Sequence, residues 1–361
     1  MTVFFVVGTR PNLVKLSPFI KVQRTHALFD ICLVHTGQHT DFEMSEIFFK
    51  ELDIPLPDFF IEADNKNHAH QTASIMLGLD SLFEKQKPKA VVVFGDVNST
   101  LAACLVATKR HIPCFHVEAG LRSFNTKMPE EINRIVADSI CDVLYAPTEI
   151  ALNNLKNEGL AHKSLFVGDV MFDAVLIHQE KAEKTSQILE RFNLIKGQYY
   201  LATLHRPYNV DNKEALAQIV KALGKLDRDV VFVVHPRTLK NLKSFCIKLP
   251  PNIKRTKSLG YFDFLKLQKH ALKIITDSGG VQKEAFFLKK NCITLRPETE
   301  WVETLANNAN LLVKTRNTQE ILKAVASEQP TQFSNHAFGN GHTAEIISKH
   351  IAETLKIKFT T

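Results

Sequence analysis

The chain has 361 residues, 45% of them hydrophobic and 23% charged, with 14 glycines and 14 prolines. That is enough for two domains or one large α/β domain, and it excludes disordered, fibrous and disulfide-stapled miniature classes. The formal charge of +7 arises from 45 basic and 38 acidic residues without a basic block, so it suits an anionic ligand and speaks against nucleic acid.

The opening MTVFFVVGTR has a short apolar run, no basic leader region and no small-residue cleavage site, which predicts a strand and not a signal peptide. Nothing approaches the roughly eighteen apolar residues of a membrane span, so the expectation is a soluble cytoplasmic protein with no membrane partner. Strands are predicted over 3–7, 31–35, 90–94, 114–117, 143–145 and 165–167. A second series follows over 200–203, 230–234, 274–276, 292–295 and 311–313. Helical stretches such as 213–225 and 282–289 lie between them. A closing helix is predicted over 343–356, where Ala344, Ile346, Ile347, Ile351 and Leu355 share one face. The alternation predicts an α/β protein with two doubly wound Rossmann-like domains, separated near 169–174, rather than an eight-unit barrel.

The six cysteines form no CxxC or Cys/His metal spacing and mostly sit in apolar runs, so reduced core thiols are expected, with neither zinc nor disulfides. His68 and His70, two apart in a polar stretch, read as a surface loop and not a metal site.

Ligands of an open parallel sheet bind beyond the carboxyl ends of its strands. In the first series those ends carry Gly8 to Asn12 with Lys15, Thr36 to His39, Gly95-Asp96 with Asn98 to Thr100, and Glu118 to Arg122. In the second they carry His205-Arg206, His235 to Arg237, Asp277 to Gly280, and Arg296. Taken alone, each segment reads first as a helix N-cap or turn. Their shared register points to a cleft facing both domains.

Ser278-Gly279-Gly280 before a helix lets phosphate approach backbone N–H groups, and Glu284 one turn further can accept from a ribose diol; the alternative is a plain serine cap. The chain contains neither G-x-G-x-x-G nor G-x-x-x-x-G-K-[ST], which disfavours nicotinamide and P-loop chemistry. Arg10 and Lys15 are candidate pyrophosphate cations, or else a solvated helix start. Asp96, Glu118 and Glu130, the last in a loop expected over 123–131, form a candidate acid–base cluster, although helix N-terminal charge also accounts for Glu130. His205 and His235 end strands where a histidine can protonate a phosphate leaving group, or be structural.

GTRPN with Lys15, TGQH, FGD followed by NSTLA, HVEAGLR, PEEINR, GDVM, TLHR, DSGGVQKEA and TEW occur in order between Val3 and Thr343. Together they resemble the non-hydrolysing UDP-N-acetylglucosamine 2-epimerases. The resemblance implies a glycosyltransferase-B-type fold with a UDP-sugar in the interdomain cleft, no metal or other cofactor, and a homodimer. It divides the chain into 1–169 plus 345–361, and 170–344. It places UDP on Ser278, Gly279, Gly280 and Glu284, with Phe264 in a loop over 259–264 near the uracil. The diphosphate meets Arg10 and His205, with Lys15 and His235 nearby, and Arg134 of PEEINR contacts substrate. The implied catalytic groups are Asp96, Glu118, Glu130 and His205, without an assignment of base and acid.

The chain departs from the commonest family strings at Asn12, at Arg206-Pro207-Tyr208, at Thr299 to Glu303, and in the loop 123–128. The last two look like the branch that epimerises UDP-2,3-diacetamido-2,3-dideoxyglucuronic acid. Hydrolysing epimerases and UDP-sugar glycosyltransferases are the remaining alternatives. Gln38 and His39 lie where some members bind a second, regulatory substrate molecule.

Overall fold

The computed structural model describes residues 1–38, 42–328, 333 and 335–359; His39 lies outside them. The chain divides into two compact units, Met1–Leu176 with His336–Thr361, and Ile177–Asn335.

The first unit carries β1 (Thr2–Val7), β2 (Asp30–His35), β3 (Phe59–Phe60), β4 (Ala90–Phe94), β5 (Cys114–Val117), β6 (Val143–Ala146) and β7 (Ser164–Phe166). They form a seven-stranded sheet in the order β3-β2-β1-β4-β5-β6-β7, with every pair parallel. The second unit carries β8 (Tyr200–Thr203), β9 (Val230–Val233), β10 (Ile253–Thr256), β11 (Lys273–Thr276), β12 (Cys292–Thr294) and β13 (Asn310–Leu312). These form a six-stranded parallel sheet in the order β10-β9-β8-β11-β12-β13. Both sheets are doubly wound, because each reverses its strand order beside its first strand.

Burial explains why these runs become parallel strands. β4, sequence AVVVF, is buried at every residue, as is β9, VVFV; a strand covered on both faces favours apolar side chains and admits a polar one only where it is hydrogen-bonded. The two strands that the sequence pattern misses, β3 and β10, each lie at one edge of their sheet, with β7 and β13 at the opposite edges. β10 reads IKRT and only its first residue is buried, so no apolar run marks it.

The last helix, Thr343–Phe359, belongs to the first unit and is capped there by Asp173, whose carboxylate accepts from the Ala344 amide at 2.8 Å. Tyr145 of β6 reaches the same helix, its hydroxyl 2.9 Å from His350 Nδ1. No helix among the described residues is long and apolar enough to cross a membrane.

Candidate active site

In the first unit the reversal lies between β1 and β4, the point at which an open α/β sheet receives a ligand at its carboxyl edge. After β1 the chain enters the helix Arg10–His26, with Thr9 as its N-cap and Pro11 in its first turn. Asn12 serves this entry: its Oδ1 accepts from the Gly8 and Thr9 amides at 3.2 and 3.3 Å, and its Nδ2 donates to the Phe94 carbonyl at 3.4 Å. An amide at this position thus tethers the first turn to the end of β4, which a carboxylate cannot do because it donates nothing. Arg10 is half-buried with its guanidinium 6.0 Å from the Phe48 ring centroid.

Phe94 pairs with Val117, so Gly95 and Glu118 leave β4 and β5 side by side. Gly95 turns with φ +64°, and a Cβ there would stand 2.9 Å from Lys15 Nζ and 3.3 Å from Glu118 Oε1. Only glycine permits that approach. Glu118 itself has φ 72°, which costs a non-glycine residue roughly 1–3 kcal/mol and is sustained by its surroundings. Its carboxylate meets Lys15 Nζ at 2.7 Å, with the two side chains only 7% and 8% exposed. The structure therefore joins Lys15, read above as a phosphate cation, to a candidate catalytic carboxylate.

Asp96 is the residue after Gly95. Its carboxylate is gripped by Arg134 and its carbonyl accepts from Asn133 Nδ2 at 2.9 Å. Arg134 is 2% exposed and spans Asp96 and Glu131, with Nη1 2.8 Å from Glu131 Oε2. Glu131 also accepts from the Ser123 amide and hydroxyl and from the Phe124 amide, at 2.8–2.9 Å. Burial pushes the Glu131 pKa up, but these donors outweigh it and hold the carboxyl below its usual range. Glu130 does not lie in a loop: it occupies the first turn of the helix Pro129–Ile140. Pro129 at the first helical position presets φ and the two glutamates complement the helix dipole, so PEE is itself a helix start.

In the second unit the reversal lies between β8 and β11. Asp277 ends β11 fully buried and accepts from the His205 amide at 3.0 Å, the Arg206 amide at 3.0 Å and Asn209 Nδ2 at 3.0 Å, with His205 Nδ1 at 3.1 Å. Burial opposes its charge, yet His205 and these donors hold the Asp277 carboxyl below its usual range. With Nδ1 turned to Asp277, Nε2 is the His205 atom left to act on a ligand. The His205 and His235 ring centroids are 5.7 Å apart. His235 is exposed and accepts from the Arg237 amide at 3.2 Å. The variant Tyr208 lies under Arg316, 4.8 Å from the guanidinium, and Arg316 donates to Asn209 at 3.1 Å.

Ser278 caps the helix Gly279–Phe287, its hydroxyl accepting from the Val281 amide at 3.4 Å. A Cβ at Gly279 would stand 2.7 Å from Glu300 Oε1, because the TEW segment packs behind the turn. Glu300 is paired with Arg296 at 2.7 Å, and Lys283 Nζ lies 3.7 Å from the centroid of the buried Trp301 ring. Gly280 is the second residue of the helix and Glu284 follows one turn on, 4% exposed and accepting from Gln268 Nε2 at 2.7 Å. Burial pushes the Glu284 pKa up to about 7. Phe264 falls in the first turn of the helix Tyr261–His270, not in a loop, and packs half-buried on the core that contains Leu267 and Val281.

The second unit thus offers backbone amides at a helix start, a buried carboxyl one turn on and a strand-end histidine aligned by an aspartate; the first offers two carboxylates, each paired with a buried cation. The family description "UDP-N-acetylglucosamine 2-epimerase" matches residues 21–352. The chain belongs to the UDP-N-acetylglucosamine 2-epimerase family. The epimerase of that name from Methanocaldococcus jannaschii is 44% identical over 361 residues, covering 96% of this chain and 98% of its own. UDP-2,3-diacetamido-2,3-dideoxy-D-glucuronate 2-epimerase of Pseudomonas aeruginosa is 39% identical over 360 residues, covering 98% and 100%. The crystal structure of the M. jannaschii epimerase in complex with UDP-GlcNAc and UDP superposes with a TM-score of 0.91, at 42% identity and 98% and 100% coverage. The two parallel α/β sheets described above are thus those of an epimerase of glycosyltransferase-B-like fold.

Several residues that hold the candidate site residues escape sequence reasoning: Asn133, Asn209, Gln268 and, behind the carboxylates, His116 and Asp138. One signal was present, since Glu130, Arg134 and Asp138 recur every four residues and so share a helix face. His68 and His70 are exposed as expected but lie in the first turn of the helix His68–Gln86, where His68 Nδ1 is 3.0 Å from Asn98 Nδ2. All six cysteines are free thiols and only Cys246 is exposed. The sulfurs of Cys104, Cys114 and Cys141 lie within 4.8 Å of one another in the core.

Proposed function

We propose that this chain inverts C2 of UDP-N-acetylglucosamine to give UDP-N-acetylmannosamine, a surface-polysaccharide precursor, by eliminating UDP and adding it back. The observation that carries this reading is the pair Asp96 and Glu118 at adjacent strand ends, each facing its own buried cation. C2 of the sugar has no neighbouring carbonyl, so removing its proton alone is too costly. Loss of UDP as the proton departs supplies the driving force: the C2–H electrons form the C1=C2 bond of a 2-acetamidoglucal as the C1–O bond breaks toward UDP. Protonation of C2 from the opposite face and attack of UDP on C1 complete the inversion. Two faces need two proton carriers, taken from Asp96, Glu118 and Glu130. A fixed cation beside a carboxylate keeps it ionised, the form that accepts a proton, and fixes where it stands.

In this reading the second unit holds UDP. Phosphate lies at Ser278, Gly279 and Gly280, where the helix start offers N–H groups, and His205, aligned by Asp277, neutralises the leaving diphosphate with His235 beside it. Arg10 supplies further positive charge, while Lys15 serves Glu118 and Arg134 serves Asp96. Phe264 offers a ring to the uracil. The family resemblance adds a homodimer, for which light scattering is expected to read the mass of two chains.

Glu284 gives a pH prediction. Its carboxyl titrates near 4.5 in the unfolded chain and at about 7 in the fold. Between those values the folded chain keeps a proton that the unfolded chain has lost, so stability declines as pH rises from 4.5 to 7 and is level above. Glu284→Gln removes this dependence, and its melting temperature is expected to gain on wild type as pH rises. The ionised carboxylate is the form that accepts both ribose hydroxyls, so uridine is expected to bind more tightly to wild type at pH 8 than at pH 5.5. Calorimetry showing no pH dependence removes Glu284 from the ribose site.

A second reading keeps the chemistry and changes the sugar to UDP-2,3-diacetamido-2,3-dideoxyglucuronic acid; it is favoured by the full-length similarity to the Pseudomonas enzyme and by Trp301 within TEW. One experiment separates the readings: incubation with each UDP-sugar in D₂O, followed by proton NMR of H1 and H2. Deuterium at C2 with a manno-configured product from UDP-N-acetylglucosamine supports the first, and turnover of the diacetamido sugar alone supports the second. Free sugar with UDP identifies a hydrolysing epimerase. No change in either sugar overturns the proposal and directs attention to glycosyl transfer.

A further inference from the structure

His116 lies two residues before Glu118 on β5, fully buried, with Nδ1 2.7 Å from Asp138 Oδ1 and Nε2 2.7 Å from the Gly95 carbonyl oxygen. Both partners are acceptors, so satisfying both requires two ring protons and makes the ring an imidazolium. Burial opposes that charge, but the Asp138 carboxylate and the Gly95 carbonyl outweigh it and raise the His116 pKa. The second oxygen of Asp138 accepts from the Gly120 amide at 3.0 Å and from Arg122 Nη1 at 2.8 Å. Arg122 is anchored in turn by Glu158, at 2.7 Å through Nε and 2.6 Å through Nη2.

The two peptides held in this way are those next to the candidate catalytic carboxylates. Gly95 precedes Asp96 and has φ +64°; Glu118 and Gly120 have φ 72° and +81°. The two glycines adopt such angles freely, so neither turn is fixed by its own backbone, whereas at Glu118 the angle persists only because the surroundings enforce it. The helix Pro129–Ile140 is the common reference, because its Asn133 and Arg134 hold Asp96 while its Asp138 holds His116 and Gly120.

We propose that His116, charged and clamped by Asp138, is a positioning residue that sets the placement of Asp96 relative to Glu118 through the Gly95 carbonyl and the Gly120 turn. The inference rests on the epimerase reading of those two carboxylates. A neutral ring donates through one nitrogen only, so it releases either the helix or the Gly95 turn. Proton transfer to and from C2 is sensitive to such a displacement, whereas UDP binding by the second unit is not.

The test is His116→Gln in the full chain, assayed with UDP-N-acetylglucosamine or, if that is the substrate, with the diacetamido sugar. The kcat is expected to fall about a hundredfold, the cost of a displacement near 1 Å. The KM and the calorimetric Kd for UDP are expected to stay within about threefold, since the loss is confined to the chemical step. Tyr145→Phe removes a buried hydrogen bond on the neighbouring strand and is the stability control: its melting temperature is expected to fall with kcat retained. Nitrogen-15 NMR of wild type at pH 8 is expected to show both His116 ring nitrogens protonated. A folded His116→Gln with wild-type kcat, an equal loss in kcat and UDP affinity, or a singly protonated ring overturns the proposal. A wild-type protein that leaves every UDP-sugar unchanged overturns the epimerase reading instead, and the ring-nitrogen spectrum still decides whether the clamp exists.

Discussion

Glu118→Gln is expected to lower kcat by about two to four orders of magnitude, the usual contribution of a positioned acid or base. It is also expected to destabilise the protein by about 3–5 kcal/mol, because Lys15, 8% exposed, then keeps a buried charge without its counter-ion. The two effects are separable. Lys15→Met with Glu118→Leu replaces the whole pair by apolar side chains, and such replacements are often neutral in stability. The double variant is therefore expected to recover most of the melting temperature lost by either single variant while remaining inactive. Thermal denaturation and C2 deuterium exchange on wild type, Lys15→Met, Glu118→Leu, the double variant and Glu118→Gln decide the matter. Exchange retained within about tenfold in Glu118→Gln removes this carboxylate from the proton-carrying set. A double variant no more stable than the single ones shows instead that the Lys15–Glu118 bond is worth more than its desolvation costs.

Asp277→Asn is the second large effect. The carboxylate receives two backbone amides, Asn209 and His205 with no solvent exposure, and an asparagine turns an N–H₂ group toward this ring of donors. Bonds to a charged acceptor are worth about 1.5–3 kcal/mol each, so the loss is expected to reach several kcal/mol. Because His205 loses the partner that orients it, kcat is expected to fall about a hundredfold or more. The pH dependence carries the sign. The Asp277 carboxyl titrates at 3.8 when unfolded and lower in the fold, so its stabilisation is fully present above pH 3.8. It is lost as pH falls through the depressed folded value. Wild type and Asp277→Asn are therefore expected to differ most at neutral pH and to converge in acid. Denaturant unfolding at pH 7 and below pH 3 tests this, and a difference that grows on acidification contradicts it.

The residues at the strand ends were legible because of how a doubly covered strand must be written. β4 and β9 are wholly buried apolar runs and β1 is one after Thr2, so the polar residues that follow such runs mark the carboxyl edge. Gly95-Asp96, Glu118, His205 and Asp277-Ser278 were found in this way. β3 and β10 carry no such signal: β3 is only two residues long, and β10, an edge strand with one unpaired side, reads IKRT. Glu130 was assigned to a loop although Pro129-Glu130-Glu131 is a helix-start pattern; the polar stretch before it hid the boundary.

Partnerships among these residues were less legible. Lys15 reads as a phosphate ligand from its place after β1, yet it pairs with Glu118, 103 residues away. Asp277 reads as part of a glycine turn, yet it aligns His205, 72 residues earlier. His116 has no polar neighbour in its own strand, CFHV, and its role is visible only once β4 lies against β5.

By itself the sequence determined the α/β class, the parallel strands, the family through nine ordered motifs, and the edge of each sheet at which chemistry collects. These depend on period, burial and chain order, which are properties of short stretches. Tertiary structure decided which charge neutralises which: Lys15 with Glu118, Arg134 with Asp96, His116 with Asp138, and His205 with Asp277. Those pairings act through space over a few ångströms, and only the order β1-β4-β5 in one sheet and β8-β11 in the other brings the partners within reach.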